Sequence, residues 1–177
     1  MTNNELKLKK ANDPQTSGRT LAKLSTSKIE SIRCAVAQHP NTSNIFINRL
    51  ARDPAWSVRA SAARNIKIST DVLNKLARDE DQAVRFYVAN NPRTPGETLA
   101  KMAKVEHRDG VRLEITRNIS TPIKTLIKLL DDPYIEVRIS AGNNPVLQPA
   151  MQLFDPREGY AGLSLAEFLE MITSKGF

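Results

Sequence analysis

Five arginines recur along the chain at a nearly constant interval, and each directly follows isoleucine or valine. A guanidinium group stays charged at physiological pH and can bind a carboxylate through two hydrogen bonds at once. On a helix that turns by about 100° per residue, this position falls inside the apolar arc of its neighbours. We therefore expect the side chains to be largely buried and to need partners. The arginines, spaced 26, 26, 27 and 26 residues apart, are Arg33, Arg59, Arg85, Arg112 and Arg138.

Three aspartates are candidate partners for these arginines. Asp53, Asp79 and Asp132 each stand six residues before an arginine, and we expect each to pair with the arginine that follows it. Turn carbonyls are further candidate partners for all five arginines, and Arg33 and Arg112 have no aspartate six residues before them. Because an unpaired buried charge is so costly, the pattern predicts a structural ladder rather than a ligand site.

A second set of basic residues occurs once per repeat, and each of them directly precedes a recurring leucine or methionine. The helical angle puts this position about 130° from the centre of the apolar seam, so we expect it to be exposed. This set of residues, here called the basic stripe, predicts a surface that binds acidic groups. The alternative is a polar outer face that only keeps the protein soluble. The stripe consists of Lys23, Arg49, Lys75, Lys101 and Lys128, extended by Arg52, Arg78 and Lys104.

The sequence contains few motifs that are typical of catalytic sites. It has no glycine-rich phosphate loop, no nucleophile elbow and no histidine and acidic cluster with metal-ligand spacing. We therefore expect no catalytic residues, no metal and no cofactor. His39 should serve a local turn and His107 should be exposed. Cys34, the single cysteine, excludes an intramolecular disulfide and is expected to be a buried, inert thiol.

The composition is that of a helical globular protein. Hydrophobic residues make up 40% and charged residues 25% of the 177 positions, which is ordinary. Glycine is scarce, with 7 residues, and this favours helix over turn-rich β structure. No apolar run approaches the roughly 18 residues of a membrane span, and the polar start of the chain does not resemble a secretory signal. We expect no membrane association and a cytoplasmic location.

The net charge of +7 is unevenly distributed. Residues 19–128 contain 20 Lys and Arg against 10 Asp and Glu, whereas residues 129–177 contain 3 against 7. A basic body of this kind predicts an acidic partner, either nucleic acid or a protein surface. The alternative is a basic surface that serves solubility alone.

The arginines belong to a sequence unit of about 26 residues. A proline turn opens most units, Ser or Thr then starts a short helix, and a second helix after a break carries the arginine. One such pair cannot bury its apolar face alone, but stacked pairs can. The sequence predicts an all-α fold, a right-handed α-solenoid of about five two-helix repeats with the start of a sixth. The first helices carry the apolar pairs Leu21 and Leu24, Ile47 and Leu50, Leu73 and Leu76, Leu99 and Met102, and Leu126 and Leu129.

One unit carries a family resemblance. The run Asn90-Asn91-Pro92-Arg93-Thr94-Pro95, followed by Leu99, Met102 and Val111-Arg112, resembles the leucine-rich repeat variant, within the HEAT and armadillo-like solenoids. The resemblance covers roughly residues 12–147 and implies alternating α and short, sometimes 3₁₀, helices. It implies little about function, because such solenoids are generic binding scaffolds. Some members carry a cysteine cluster for an iron–sulfur centre, which this chain lacks.

The sequence predicts three segments: a basic N-terminal tail at 1–11, the repeats at 12–147 and a capping segment at 148–177. Pro149 and residues 154–160 should form a loop, and Ser164 and Glu167 resemble a capping box that opens a terminal helix. Its apolar face would contain Leu165, Phe168, Leu169 and Ile172. We expect this helix to cap the array, and the alternative is a helix that docks on a partner.

Three functions follow from these patterns. The first is a non-enzymatic scaffold that binds an acidic protein through the basic stripe. The second is binding to DNA or RNA phosphates without sequence preference. A remote third is a HEAT-like DNA glycosylase, for which Trp56, Asp53 and Tyr87 are the available aromatic and acidic residues. No small-molecule substrate is indicated.

Overall fold

The chain is all-α throughout the residues that its computed structural model describes, which are 2–152 and 165–174. No strand occurs in these two ranges. The prediction of an all-α fold is thus confirmed. The helices are α1 Asn3–Asn12, α2 Gly18–Leu24, α3 Glu30–Gln38, α4 Asn44–Leu50, α5 Trp56–Arg64, α6 Thr70–Leu76, α7 Gln82–Asn90, α8 Gly96–Val105, α9 Asp109–Arg117, α10 Ile123–Leu129, α11 Ile135–Gly142, α12 Gln148–Met151 and α13 Leu165–Ser174.

The starts of the even-numbered helices reflect local sequence chemistry. Ser17, Ser43 and Ser69 stand in extended conformation directly before α2, α4 and α6. Serine is favoured at this position because its hydroxyl can accept from the first free backbone N–H groups, as Ser17 does from Thr20. Pro95 precedes α8 in the same way. These helices then bury their apolar pairs on one side.

Helix α1 lies where the sequence predicts a basic tail. Its first turn is closed by a capping box, in which the Thr2 hydroxyl accepts from Glu5 N at 3.2 Å and the Glu5 carboxylate accepts from Thr2 N at 2.7 Å. Ala11 is buried, and α1 packs against α3. The segment is therefore folded in spite of its polar composition, because its termini are satisfied and its last turn has an apolar contact.

Asparagines at the ends of odd-numbered helices connect successive helical pairs. Asn65 Nδ2 donates to Ala37 O at 2.8 Å, 28 residues earlier, and Asn65 Oδ1 accepts from Lys67 N at 2.9 Å. Asn91 and Asn144 repeat both contacts, and all three asparagines are buried. Each side chain thus satisfies backbone groups in its own turn and in the preceding helical pair.

His39 takes the place of the asparagine in an earlier turn. Its Nδ1 accepts from Asn41 N at 3.0 Å, and its Nε2 lies 2.8 Å from Asp13 O. A neutral ring protonated at Nε2 makes both bonds, one accepted and one donated. The turn role expected from the sequence is present, but the ring also ties the end of α3 to the end of α1.

The described helices fall into two compact units, Met1–Thr94 and Pro95–Phe177. In the first unit, α3 packs against α1 and α5, and α5 packs against α7. In the second unit, α9 packs against α11, and α10 packs against α11 and α13. None of the described helices is long and apolar enough to cross a membrane.

Helix α13 closes the core of the second unit. Phe168, Leu169 and Ile172 of its predicted apolar face are buried in one cluster with Leu126 and Leu147. The apolar face of the terminal helix is therefore used within the unit. Pro149, which was predicted to lie in a loop, stands instead in the first turn of α12, where proline is tolerated because its missing N–H would have no helical partner. The predicted loop at 154–160 and Ser164 of the predicted capping box lie outside the described residues.

Candidate binding surface

The predicted arginine ladder is present, but each ion pair joins an aspartate to the arginine 20 residues before it and not to the arginine six residues after it. Arg59 Nε donates to Asp79 Oδ2 at 2.7 Å and Arg59 Nη2 donates to Asp79 Oδ1 at 2.8 Å. Asp79 therefore pairs with the arginine 20 residues before it, and the predicted side-chain pairing of Asp53 with Arg59 is wrong. The same two-bond geometry joins Arg33 to Asp53, and Arg112 to Asp132.

The aspartates six residues before Arg59, Arg85 and Arg138 contribute their backbone carbonyls instead, which confirms the expectation of turn-carbonyl partners. Arg59 Nη1 donates to Asp53 O at 3.0 Å, and Arg138 Nη1 donates to Asp132 O at 2.7 Å. Arg85 Nη1 likewise donates to the carbonyl oxygen of Asp79, at 2.8 Å, and not to its carboxylate. The predicted pairings of Asp79 with Arg85 and of Asp132 with Arg138 are wrong for the same reason. One turn aspartate therefore serves two arginines, with its carboxylate on one side and its carbonyl on the other.

This geometry gives Arg33 and Arg112 carboxylate partners, Asp53 and Asp132, which the sequence analysis did not predict for them. The pairs are nearly dry, with exposed fractions of 12% for Arg59 and 8% for Asp79, and 7% for Arg112 and 4% for Asp132. A two-bond ion pair in such surroundings fixes the turn that carries the aspartate. In these three pairs the guanidinium is neutralised by a turn carboxylate, so the pairs act as a structural device.

The aspartates of these pairs are held ionised. Burial pushes the pKa of Asp79 upward, but the hydrogen bond from Arg59, the backbone N–H of Asp81 and the Arg59 charge outweigh it, and the net pKa is lowered. The pKa values of Asp53 and Asp132 are lowered through the same balance, with Arg33 and Arg112 as the respective donors.

All eight side chains of the basic stripe are exposed. In the first unit Lys23, Arg49 and Lys75 lie on α2, α4 and α6. In the second unit Lys101 lies on α8, and its Nζ is 2.6 Å from Glu97 Oε1, an ion pair one helical turn apart. Arg52, Arg78, Lys104 and Lys128 complete the set.

Arg49 is the most constrained member of the stripe. Its Nη2 donates to Ser25 Oγ, and its guanidinium carbon lies 5.2 Å from the centroid of the Phe46 ring. The side chain as a whole stays exposed, while its guanidinium is held by these two contacts.

Charge is distributed unequally between the two sets of helices. Helices α2, α4, α6, α8 and α10 together carry 8 Lys and Arg but only 2 acidic residues, Asp71 and Glu97. The odd-numbered helices α3 to α11 carry the ladder arginines, whose charge faces turn oxygens. The even-numbered helices thus present 8 exposed cations with few acidic neighbours, beside further exposed Lys and Arg on α1, α5 and α9 and in the turns.

One groove in the second unit concentrates these cations. It lies between α8 and α10, has a volume of about 490 Å³ and is bordered by Lys104, Lys124 and Lys128. Lys124 was missed by the sequence reading, although it precedes Lys128 by one helical turn and so shares its face. The other lining residues are Ala100, Ala103, Arg112, Pro122, Thr125, Leu129, Asp131, Asp132 and Pro133.

The residues considered for glycosylase chemistry do not form a cluster with a free acid. Both carboxylate oxygens of Asp53 accept from Arg33. Trp56 begins α5 and is 51% exposed, whereas Tyr87 lies on α7 beneath the Arg64 guanidinium at 5.0 Å. An acid engaged in two charge-assisted bonds with a lowered pKa is poorly suited to transfer protons near neutral pH.

Two further sequence expectations concern Cys34 and His107. Cys34 is partly exposed rather than fully buried, and its Sγ lies 3.6 Å from Ser57 Oγ. His107 is exposed, as expected. Among the described residues, no group of three or more His, Cys, Asp or Glu side chains could hold a metal ion.

Comparison of the chain with protein-family models and with curated proteins gives no match.

Proposed function

We propose that this protein is a non-enzymatic scaffold that binds an acidic protein partner through the basic stripe. We further propose that its helical pairs form a right-handed α-solenoid of the leucine-rich repeat variant type. The repeated contacts of Arg33, Arg59 and Arg112 with the next turn support this architecture, because the same link recurs from pair to pair.

The unequal distribution of charge carries the proposal. Exposed basic residues recur on the even-numbered helices, where acidic residues are few, while the buried arginines are neutralised by turn aspartates. A polar outer face that served solubility alone would need no single sign of charge, and mixed signs serve that purpose. An excess of one sign attracts the opposite sign and accelerates association.

Quantitative affinity capture with charge-reversed baits tests the proposal. The wild-type chain is compared with the double variant Lys23→Glu, Lys75→Glu, which reverses two stripe positions of the first unit. The control is Lys28→Glu, Arg93→Glu, which makes the same change of net charge at exposed positions in the turns. We expect the stripe variant, and not the control, to lose a set of acidic proteins without a change in melting temperature.

A captured protein is then purified and its binding to the three chains is measured at several salt concentrations. The lost affinity should lie mainly in the association rate and should shrink at high salt, because exposed charges act within a Debye length of about 8–10 Å. Equal capture by all three baits would refute the proposal.

Nucleic acid is the competing ligand, and a mobility-shift series separates the two. Generic duplex and single-stranded probes are titrated into the wild-type chain at several salt concentrations. Phosphate binding would give an affinity that falls steeply with salt, with a log–log slope that loses about 0.7–0.9 per removed contact. Tight, salt-sensitive binding of these probes, with no loss of acidic proteins from the stripe variant, would favour nucleic acid.

A further inference from the structure

The groove between α8 and α10 combines an apolar floor with a basic border. Ala100, Ala103 and Leu129 supply apolar surface, and Lys104, Lys124 and Lys128 are exposed lysines of the lining. The Arg112–Asp132 ion pair and Asp131 also line the groove. Its volume of about 490 Å³ lies within the range of roughly 300–1,000 Å³ that is usual for ligand pockets. The groove is therefore large enough to accept several side chains of a bound segment.

The lysines of this groove are arranged at a cost to stability. Lys124 and Lys128 stand one turn apart on α10, and like charges at that spacing repel. Helix α8 shows the favourable alternative, because Glu97 occupies the corresponding place before Lys101 and forms an ion pair with it. Within the described part of the chain, none of Lys104, Lys124 and Lys128 takes part in an ion pair. An anion bound between them would relieve the repulsion.

We propose that this groove binds an acidic peptide segment of the protein partner, and this inference rests on the proposed function. An apolar side chain of the segment packs on Ala100, Ala103 and Leu129. Flanking Asp or Glu carboxylates accept hydrogen bonds from the lysine ammonium groups. The apolar anchor supplies buried area, and the carboxylates fix the position of the segment along the groove.

The lining favours a peptide over a nucleic acid strand. No aromatic ring is present among the lining residues, so a base has no stacking platform there. Asp131 also lines the groove, and its carboxylate repels phosphates and carboxylates alike but can accept from a peptide N–H, a donor that a nucleic acid backbone lacks. Three lysines above an apolar floor match a short alternation of carboxylates and aliphatic side chains.

Fluorescence anisotropy with a designed probe tests this inference on the full chain. The probe is a labelled peptide in which Glu alternates with Leu, and it is compared with the same peptide bearing Gln for Glu and with an oligothymidine of similar length. We expect the Glu peptide to bind more tightly than the other two. The double variant Lys124→Gln, Lys128→Gln should weaken its binding about tenfold.

Two further variants separate the groove from general charge attraction. Ala103→Leu leaves the charge unchanged but fills the floor, so it should also weaken the Glu peptide. The double variant Lys28→Gln, Arg93→Gln removes the same charge in the first unit and should leave the affinity within about twofold of wild type. Circular dichroism of each variant verifies that the helical content is retained.

The outcomes distinguish this inference from the proposed function. If the Glu peptide does not bind, or if the groove variants bind it as well as wild type, the groove assignment is overturned. The capture experiment with Lys23 and Lys75 still stands in that case, because it does not depend on the groove. Preferred binding of the oligothymidine would also overturn the peptide assignment.

Discussion

Removal of Arg59 tests the direction of the ladder. The Arg59→Ala chain loses two charge-assisted bonds to Asp79 and two bonds to the carbonyls of Asp53 and Pro54. The Asp79 side chain, which is 8% exposed in the wild-type chain, then loses its guanidinium partner. Removing one member of a buried ion pair costs about 3–5 kcal/mol, and the residual exposure of both groups places the expected loss near the lower bound, about 3 kcal/mol.

A double-mutant cycle by urea unfolding assigns this loss to a partner. Arg59→Ala, Asp79→Ala and the double variant are unfolded in parallel, and the coupling free energy should be about 2 kcal/mol. The matched cycle of Arg59 with Asp53 should give less than about 0.5 kcal/mol, because Asp53 offers Arg59 only its backbone carbonyl, which alanine retains.

The exposed Lys75→Ala is the control on the neighbouring helix, with an expected change within about 0.5 kcal/mol. Equal coupling in the two cycles would refute the assignment of the Arg59 carboxylate partner. If Arg59→Ala lowered the free energy of unfolding as little as Lys75→Ala does, the burial of the Arg59 ion pair would be refuted.

Three other outcomes follow from single contacts. The lowered pKa of Asp79 contributes stability that is complete above the ordinary carboxyl value of about 3.9 and is lost as the pH falls, so acid unfolding should be shallower in Asp79→Asn. His39→Asn should unfold near the wild-type urea midpoint because asparagine makes both turn bonds elsewhere, whereas His39→Ala should lose about 1–3 kcal/mol. In thermal unfolding, Gly96→Ala should lose about 1–3 kcal/mol, because a Cβ there meets Ser120 O at 2.5 Å, whereas Gly110→Ala, with nothing within 4 Å, should gain up to about 1 kcal/mol.

Local periodicity was enough to predict the helices and the exposure of their faces. Apolar residues three positions apart, such as Leu73 and Leu76, lie on one side of a helix and are buried. Lys75 lies between them and is exposed. These outcomes depend on the angle per residue within one helix, which the sequence contains directly. The all-α fold was therefore accessible without any knowledge of tertiary contacts.

The ends of the described chain show where composition misleads. Polar and basic residues predicted a tail at 1–11, yet α1 forms because Thr2 and Glu5 cap it and Ala11 packs. The capping box was visible in the sequence as a Thr followed three residues later by Glu. A capping box alone does not predict a stable helix, because short helices in isolation are only marginally stable and α1 also needs a packing partner.

Tertiary structure alone decided which groups meet across helical pairs. Arg59 has an aspartate six residues before it and another 20 residues after it, and spacing cannot rank them. The packing of α5 against α7 brings the later carboxylate of Asp79 to the guanidinium of Arg59 and leaves Asp53 only its carbonyl. Tertiary packing likewise brings Lys104 of α8 and Lys124 of α10 to one groove. Such contacts depend on the translation and rotation between helical pairs, and the periodicity of a single helix holds no information about either.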